Sequence, residues 1–337
     1  MSGREGKRSV RRFLRSAAVI ALSAGAVFVL LLCVHPSEAI GGMKTLLLSG
    51  FSPAAGIQKT LFSWPLLLLT GLSVGCAWKG GFFHLGAPGQ FALGAFAAMS
   101  GALLLKFPWW VCLMLSAIGG ALGGGVLYLI RNSSRMGEAI CAVMLNYTVL
   151  YLTQWLWEDA LSAAVETASL NRAALPGLRL NGQADISLGL PIALLLCAAL
   201  WAALRFTVTG YEVKAGGSGR EAAVRAGMPV ERNRKMALVL SGAFSGLAGG
   251  VCLLSGMTDT ALSVISARMG FGGIAAAMLG FAHPLAIIIT SLVSAGITVG
   301  SEALPPAYPQ ETGMLLLALL TLGSAVLHGK HKKQNHQ

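Results

Sequence analysis

"GYEVKAGGSGREAAVRAGMP", Gly210 to Pro229, is polar and studded with glycine in a chain that is elsewhere apolar enough to dissolve in lipid. Ser218 stands at an N-cap position with Glu221 three residues on. That is the spacing of a capping box, in which hydroxyl and carboxylate each take an otherwise unpaired N–H. Gly227 supplies a left-handed stop and Pro229 forbids continuation. The pattern predicts a helix of about eight residues over 219–226, too short to persist alone in water. Ala222, Ala223 and Ala226 give it a small, smooth face at helical spacing, while Arg220 and Arg225 point elsewhere. A stiff, short helix of this kind fits a groove on another protein; a plain surface turn between helices is the alternative reading.

The flanking sequence sets this segment at a membrane. Of 337 residues, 55% are hydrophobic and 11% charged, against about 25% charged in a soluble domain. Apolar runs fall at 17–34, 61–78, 87–105, 109–130, 139–157, 187–205, 236–256, 271–282, 284–300 and 312–328. Most reach the roughly 17 residues a crossing needs, so the chain reads as an all-α polytopic membrane protein of about ten membrane segments. With the N-terminus inside, six of the 25 Lys and Arg residues fall in outer segments (Lys44, Lys59, Lys106, Arg172, Arg179 and Arg268) and the other 19 lie inside. The positive-inside rule is then satisfied and both termini are cytoplasmic. It also explains the net charge of +12; no aromatic-interleaved basic patch points to nucleic acid. The resulting layout is a basic N-terminus at 1–16, one membrane domain at 17–328 with a cytoplasmic loop at 206–235, and a basic tail at 329–337. The first apolar run exceeds the usual 7–15-residue signal core, so it reads as an uncleaved helix, with "SEA" at 37–39 as the competing cleavage site.

Two stretches interrupt the regular pattern. The run 271–282 amounts to roughly 18 Å of helix, too short to cross alone. It lies between "RMGFGG" and His283–Pro284 and reads as broken or re-entrant. In "KGGFFHLGAPGQ" (79–90), glycines and Pro88 separate two apolar runs. Irregular backbone at membrane depth must be buried in protein or line a watery cavity, and two such interruptions in different halves point to a translocation pathway. Helix-boundary punctuation explains each singly. Outer segments at 35–60 and 158–186 exceed tight turns; "MKTLLLSGF" in the first fits the membrane surface, and the second fits an external partner. The six cysteines all sit in or at the ends of apolar runs without CxxC or His neighbours, and read as small hydrophobes.

Few side chains invite chemistry. Glu138 begins a helix beside Arg131 and Arg135, where the helix dipole favours an acid; gating is the other reading. Asn146 lies mid-span, and Gln90 is similar: pathway lining and plain interhelical bonding fit both. His84 and His283 flank the two interruptions and read as structural hydrogen-bonders rather than proton relays. Gln154, Trp155 and Trp157 read as interfacial anchors, with base stacking the alternative. No carboxylate lies near a span centre, which argues against an ion-coupled transporter. No nucleophile–base pair or metal-ligand set supports an intramembrane enzyme. There is no GxxxxGK[ST] phosphate loop, so a mechanical role for 206–235 requires energy from a partner.

Four stretches resemble a known family: "TGLSVGCAWKGGFFHLGAPGQFALGA" (70–95), "MGEAICAVMLNYTVLYL" (136–152), Gly210 to Gly250, and "GFGGIAAAMLG" (270–280). They look like permease subunits of bacterial nucleoside and simple-sugar ABC importers, relatives of branched-chain amino acid permeases. The resemblance implies a substrate-importing inner-membrane permease most akin to those for nucleosides, with a sugar, a vitamin-like ligand or a branched-chain amino acid as alternatives. It implies a second permease subunit, cytoplasmic ABC ATPases carrying ATP and Mg, and an external substrate-binding lipoprotein; this chain would bind no cofactor and contact only its small-molecule substrate, protein partners and membrane lipid. The ATPase would dock at Tyr211, Glu212, Ser218, Arg220, Glu221, Ala222, Ala223, Arg225, Ala226 and Gly227. Where the family usually reads Asn-Ile-Gly-Ala-Glu-Gly-Gln, this chain has His84, Leu85, Gly86, Ala87, Pro88, Gly89 and Gln90, and Gly273 replaces a usual Asp. Those departures bear on the substrate rather than the fold.

Overall fold

A computed structural model describes residues 21–53, 56–133, 136–157, 175, 177–180, 184–256, 262–309 and 311–334. Each of the ten apolar runs corresponds to a helix within these residues, and six helices are long and apolar enough to cross a membrane. These are Gly56–Lys79, Trp109–Ser133, Glu138–Leu156, Gly189–Phe206, Val230–Leu254 and Pro284–Glu302. Ala21–Val34, Ala39–Phe51, Ile265–Leu279 and Thr312–Gly323 are shorter apolar helical stretches, and Ala87–Leu103 is a 17-residue helix. The chain is thus a multi-pass helical membrane protein with one departure from an all-helical reading. Gly177–Leu180 pairs antiparallel with Ala184–Ser187, Arg179 opposite Asp185. Arg172, Arg135 and the basic segment 1–16 lie outside the described residues.

The described residues divide into two compact units. In the first, formed from 1–60 and 293–337, the Ala39–Leu48 helix and its 3-10 extension Ser49–Phe51 pack on the end of the Pro284–Glu302 helix. A side chain at Gly50 would meet the Gly296 backbone, and one at Gly300 would meet the Leu46 carbonyl. Tyr308 donates to the His35 carbonyl at 2.9 Å. "MKTLLLSGF" therefore lies against protein along one face.

The second unit, 61–292, centres on Val230–Leu254, which packs against Trp109–Ser133 and Ala87–Leu103. Small residues bring these backbones together. A Cβ on Gly246 would strike the Ser116 carbonyl and, at 2.7 Å, Gly120 Cα, and one on Gly249 would strike the Phe91 carbonyl. In lipid, where burial of apolar surface drives no helix association, close van der Waals contact of this kind takes its place. Polar stitches add to it: Ser73 and Ser241 hydroxyls meet at 3.0 Å, and Thr70 donates to the Met269 carbonyl at 3.1 Å.

The expectation of a 12-residue broken segment at 271–282 is overturned. The helix runs without interruption from Leu262 to Leu279, and "RMGFGG" lies inside it. Its glycines serve packing: a Cβ at Gly270 would sit 2.6 Å from Pro88 Cγ, and one at Gly273 would collide with Thr70. At Gly273 there is no room for the aspartate that the resemblance led one to expect. The chain turns instead at Phe281 and Ala282, both at φ near +50°, and His283 is exposed there.

Candidate functional site

The site is built where the 80–86 connection meets the 206–235 segment. Lys79 ends one helix and Ala87 begins the next, with Gly86 at the N-cap and Pro88 in the first turn, where its missing N–H costs nothing. Gly81 takes φ +83°. The 79–90 stretch is therefore a helix boundary, and it is held at several points. Asn146 spans it from the Glu138–Leu156 helix: Nδ2 donates to the Leu85 carbonyl at 2.7 Å, and Oδ1 accepts from the Gly89 amide at 3.1 Å. Ser245 donates to the Ala87 carbonyl at 2.7 Å. His84 Nε2 and Gln90 Oε1 lie 2.8 Å apart, both residues buried. Sequence reading thus singled out three residues, His84, Gln90 and Asn146, that the fold brings together, and all three hold the boundary in place.

Burial pushes the His84 imidazole down to about 4, only partly offset by the Gln90 contact. The ring is neutral at physiological pH. With Nε2–H donated to Gln90, its Nδ1 and the Gln90 Nε2 have no hydrogen-bond partner among the described residues. The cleft beside His84 is lined by Phe82, Leu127, Arg131, Glu138 and Leu238.

Glu138, the fourth candidate, lies at the other side of that cleft. Its Oε1 is 3.1 Å from Arg131 Nε and 3.8 Å from Arg234 Nη2; its Oε2 accepts from the Phe83 amide at 3.4 Å. Arg234 was not singled out from sequence. The signal for it was present in "ERNRK" (231–235), where Glu231 and Arg234 are spaced i, i+3 on one helix face, and they lie 3.7 Å apart.

The polar segment 206–235 contains two short helices, Val208–Ser218 and Arg220–Arg225. The capping box is overturned. Ser218 is the last residue of the first helix and donates to the Ala215 carbonyl at 3.1 Å. Gly219 is the N-cap of the second helix and provides no side-chain cap. The true side-chain cap is Thr207, which accepts from the Gly210 amide at 3.0 Å. Glu221 instead faces Arg225 across one turn at 4.0 Å. The expected alanine face is also narrower: Ala223 is buried, whereas Ala222 and Ala226 are exposed. Gly227 does stop the helix, at φ +75°. Tyr211 is exposed, and Glu212 accepts from Asn233 at 2.9 Å. A Cβ on Gly217 would strike the Lys79 carbonyl and lie 2.8 Å from the Gly81 amide, so the end of the Val208–Ser218 helix sits backbone to backbone on the 80–86 connection.

Two exposed helix faces differ in chemistry. That of Trp109–Ser133 presents Met114, Ile118, Leu122, Val126 and Leu129, all aliphatic. That of Glu138–Leu156 presents Met144, Tyr147, Tyr151 and Trp155, with the Tyr147 and Tyr151 rings stacked at 6.5 Å. Tyr147 is the central residue of its helix.

A family described as branched-chain amino acid transport system / permease component matches residues 56–325. The chain is 27% identical to the guanosine ABC transporter permease protein NupP of Bacillus subtilis, over 91% of this chain and 90% of that one. It is 27% identical to the nucleoside ABC transporter permease protein NupB of Lactococcus lactis, covering 86% and 85%. It is 28% identical to the glucose ABC transporter permease protein TsgB13 of Haloferax volcanii, covering 86% and 79%.

Proposed function

Because the chain belongs to the family of branched-chain amino acid transport system permease components, we propose that it is the permease subunit of a nucleoside importer driven by separate ATPases. The observation that supports the substrate is the pair of bacterial relatives whose names specify guanosine and nucleosides, each aligned over most of both chains. The glucose permease relative makes a simple sugar the second reading. In this reading the protein sits in the inner membrane; the excess of Lys and Arg in 206–235 and at both termini supports placing these in the cytoplasm.

The permease performs no catalysis. A cytoplasmic ATPase seats on the exposed Arg220–Arg225 helix, with Tyr211, Glu212, Ser218 and Gly227 at its margins. ATP and Mg act on that partner. Closure of the ATPases displaces the helix, and the bundle alternates between outward and inward access, loaded from outside by a binding lipoprotein. The pathway runs along the Tyr147–Tyr151 face beside a second permease subunit. Phenol hydroxyls at the middle of a span are costly against hydrocarbon, and a stacked ring pair is suited to a planar base.

The test is reconstitution with a candidate ABC ATPase, second permease and substrate-binding lipoprotein. Guanosine uptake that depends on ATP and the ATPase is expected, with competition by other nucleosides and not by glucose. Uptake that runs on a proton or sodium gradient without the ATPase would overturn the reading. Tyr147→Leu with Tyr151→Leu is expected to raise the half-saturating nucleoside concentration about tenfold, corresponding to about 1.4 kcal/mol, while the protein stays in the membrane.

A further inference from the structure

A run of charged contacts joins the exposed Arg220–Arg225 helix to the 80–86 connection. Arg220 Nη2 reaches Glu231 Oε1 at 2.7 Å. The same oxygen lies 3.7 Å from Arg234 Nη1, and Arg234 Nη2 lies 3.8 Å from Glu138 Oε1. Glu138 in turn holds the Phe83 amide. The Phe82 ring lies beneath the Arg234 guanidinium at 4.3 Å from its centroid and beneath that of Arg131 at 5.1 Å. Tyr128 donates to the second Glu231 oxygen at 3.4 Å. Four helix ends and one connection therefore meet at two carboxylates.

The members of this run are unequal. The Arg220 and Glu231 side chains are about half exposed or more (62% and 47%), and a pair so placed contributes little to stability. The Arg234 side chain is only 10% exposed, shared between Glu231 and Glu138, and stacked on Phe82. Its planar fork can face two carboxylates and an aromatic ring together, which a lysine ammonium cannot. Arg131 and Arg234 bracket the same ring and the same carboxylate oxygen, so Glu138 also screens two like charges from each other. Arg220 is thus linked through Glu231 and Arg234 to Glu138, Phe82 and the Phe83 amide, within two residues of the buried His84. The Gly217 seat on Lys79 and Gly81 keeps the same two parts in register.

We propose that Arg234 is a positioning residue that transmits movement of the Arg220–Arg225 helix to the 80–86 connection, and so sets how much substrate moves per ATP. The proposal rests on the reading that the ATPase docks at that helix, and the experiment separates the two. The full importer is reconstituted with Arg234→Gln, Glu138→Gln, and both together. ATPase binding, ATP turnover and guanosine uptake are measured for each. A tenfold or greater loss of uptake per ATP is expected in Arg234→Gln, with ATPase affinity within twofold of wild type. The double Gln variant is expected to be no worse than the worse single, as for residues acting in one chain. Wild-type uptake per ATP in Arg234→Gln, additive losses in the double variant, or loss of ATPase binding with Arg234→Gln would each overturn it. If Arg234→Gln does not assemble, Arg234→Lys decides: uptake per ATP below a third of wild type supports the relay and full uptake per ATP overturns it. A wild-type chain that fails to bind the ATPase overturns the docking reading instead.

Discussion

His84 is a buried base whose charged form the fold excludes. Its folded value of about 4 lies below the ordinary 6.5, so between those two pH values the unfolded chain binds a proton that the folded chain does not. Stability contributed by the neutral ring is complete above about pH 6.5 and is lost as the pH falls toward 4, by up to about 3 kcal/mol. Thermal unfolding in detergent is expected to show this acid-side loss, and His84→Gln to flatten it; identical pH profiles for both proteins would refute the assignment. Asn146 illustrates a different dependence. It fills its amide with two backbone partners across 85–89, so Asn146→Ala leaves the Leu85 carbonyl and the Gly89 amide without it. A loss of about 1–2 kcal/mol is expected, measured as a lower midpoint of unfolding. Both residues were legible in sequence as polar groups out of place. Their partners were not, because Leu85, Gly89 and Asn146 are brought together only by helix packing.

At the scale of elements, glycine does two kinds of work. In the Val230–Leu254 helix, Gly246 lets a backbone approach that any side chain would block. Gly246→Val is expected to separate it from Trp109–Ser133 and cost about 1–3 kcal/mol or more by overpacking, read as lower yield and lower thermal stability of the purified protein. Gly227 instead supplies a left-handed conformation, so Gly227→Ala is expected to cost about 1 kcal/mol and to fray Arg220–Arg225, measured as faster amide exchange over 220–226. Ser218→Ala, by contrast, removes no cap and is expected to leave exchange over 220–226 unchanged. The spacing Ser218-x-x-Glu221 fits a capping box equally well in either register of the chain. What decides against it is that Val208–Ser218 is itself helical, which carries Ser218 to a C-terminus rather than an N-terminus. The glycines of 268–273 misled in the same way: a small residue that admits a neighbouring helix has the same sequence signature as one that breaks its own.

For the whole molecule, the expected side of the membrane for 206–235 can be tested directly. Ala222→Cys places a thiol on an exposed position, and Cys33 is the sole exposed native cysteine among the described residues. In a Cys33→Ser background, a membrane-impermeant maleimide is expected to label Ala222→Cys in inverted vesicles and not in right-side-out ones. The reverse pattern would place the proposed ATPase seat outside the cell and end that reading.

Sequence alone determined the membrane setting, the approximate position of the long apolar helices among the described residues, and the family. These depend on summed hydropathy and local composition, which do not require knowing what touches what. Tertiary structure alone decided that "RMGFGG" continues a helix, that Thr207 rather than Ser218 caps, and that Arg234 bridges Glu231 and Glu138. Each of these turns on contacts between residues distant in sequence or on which of two adjoining helices claims a residue, and no local spacing encodes that choice.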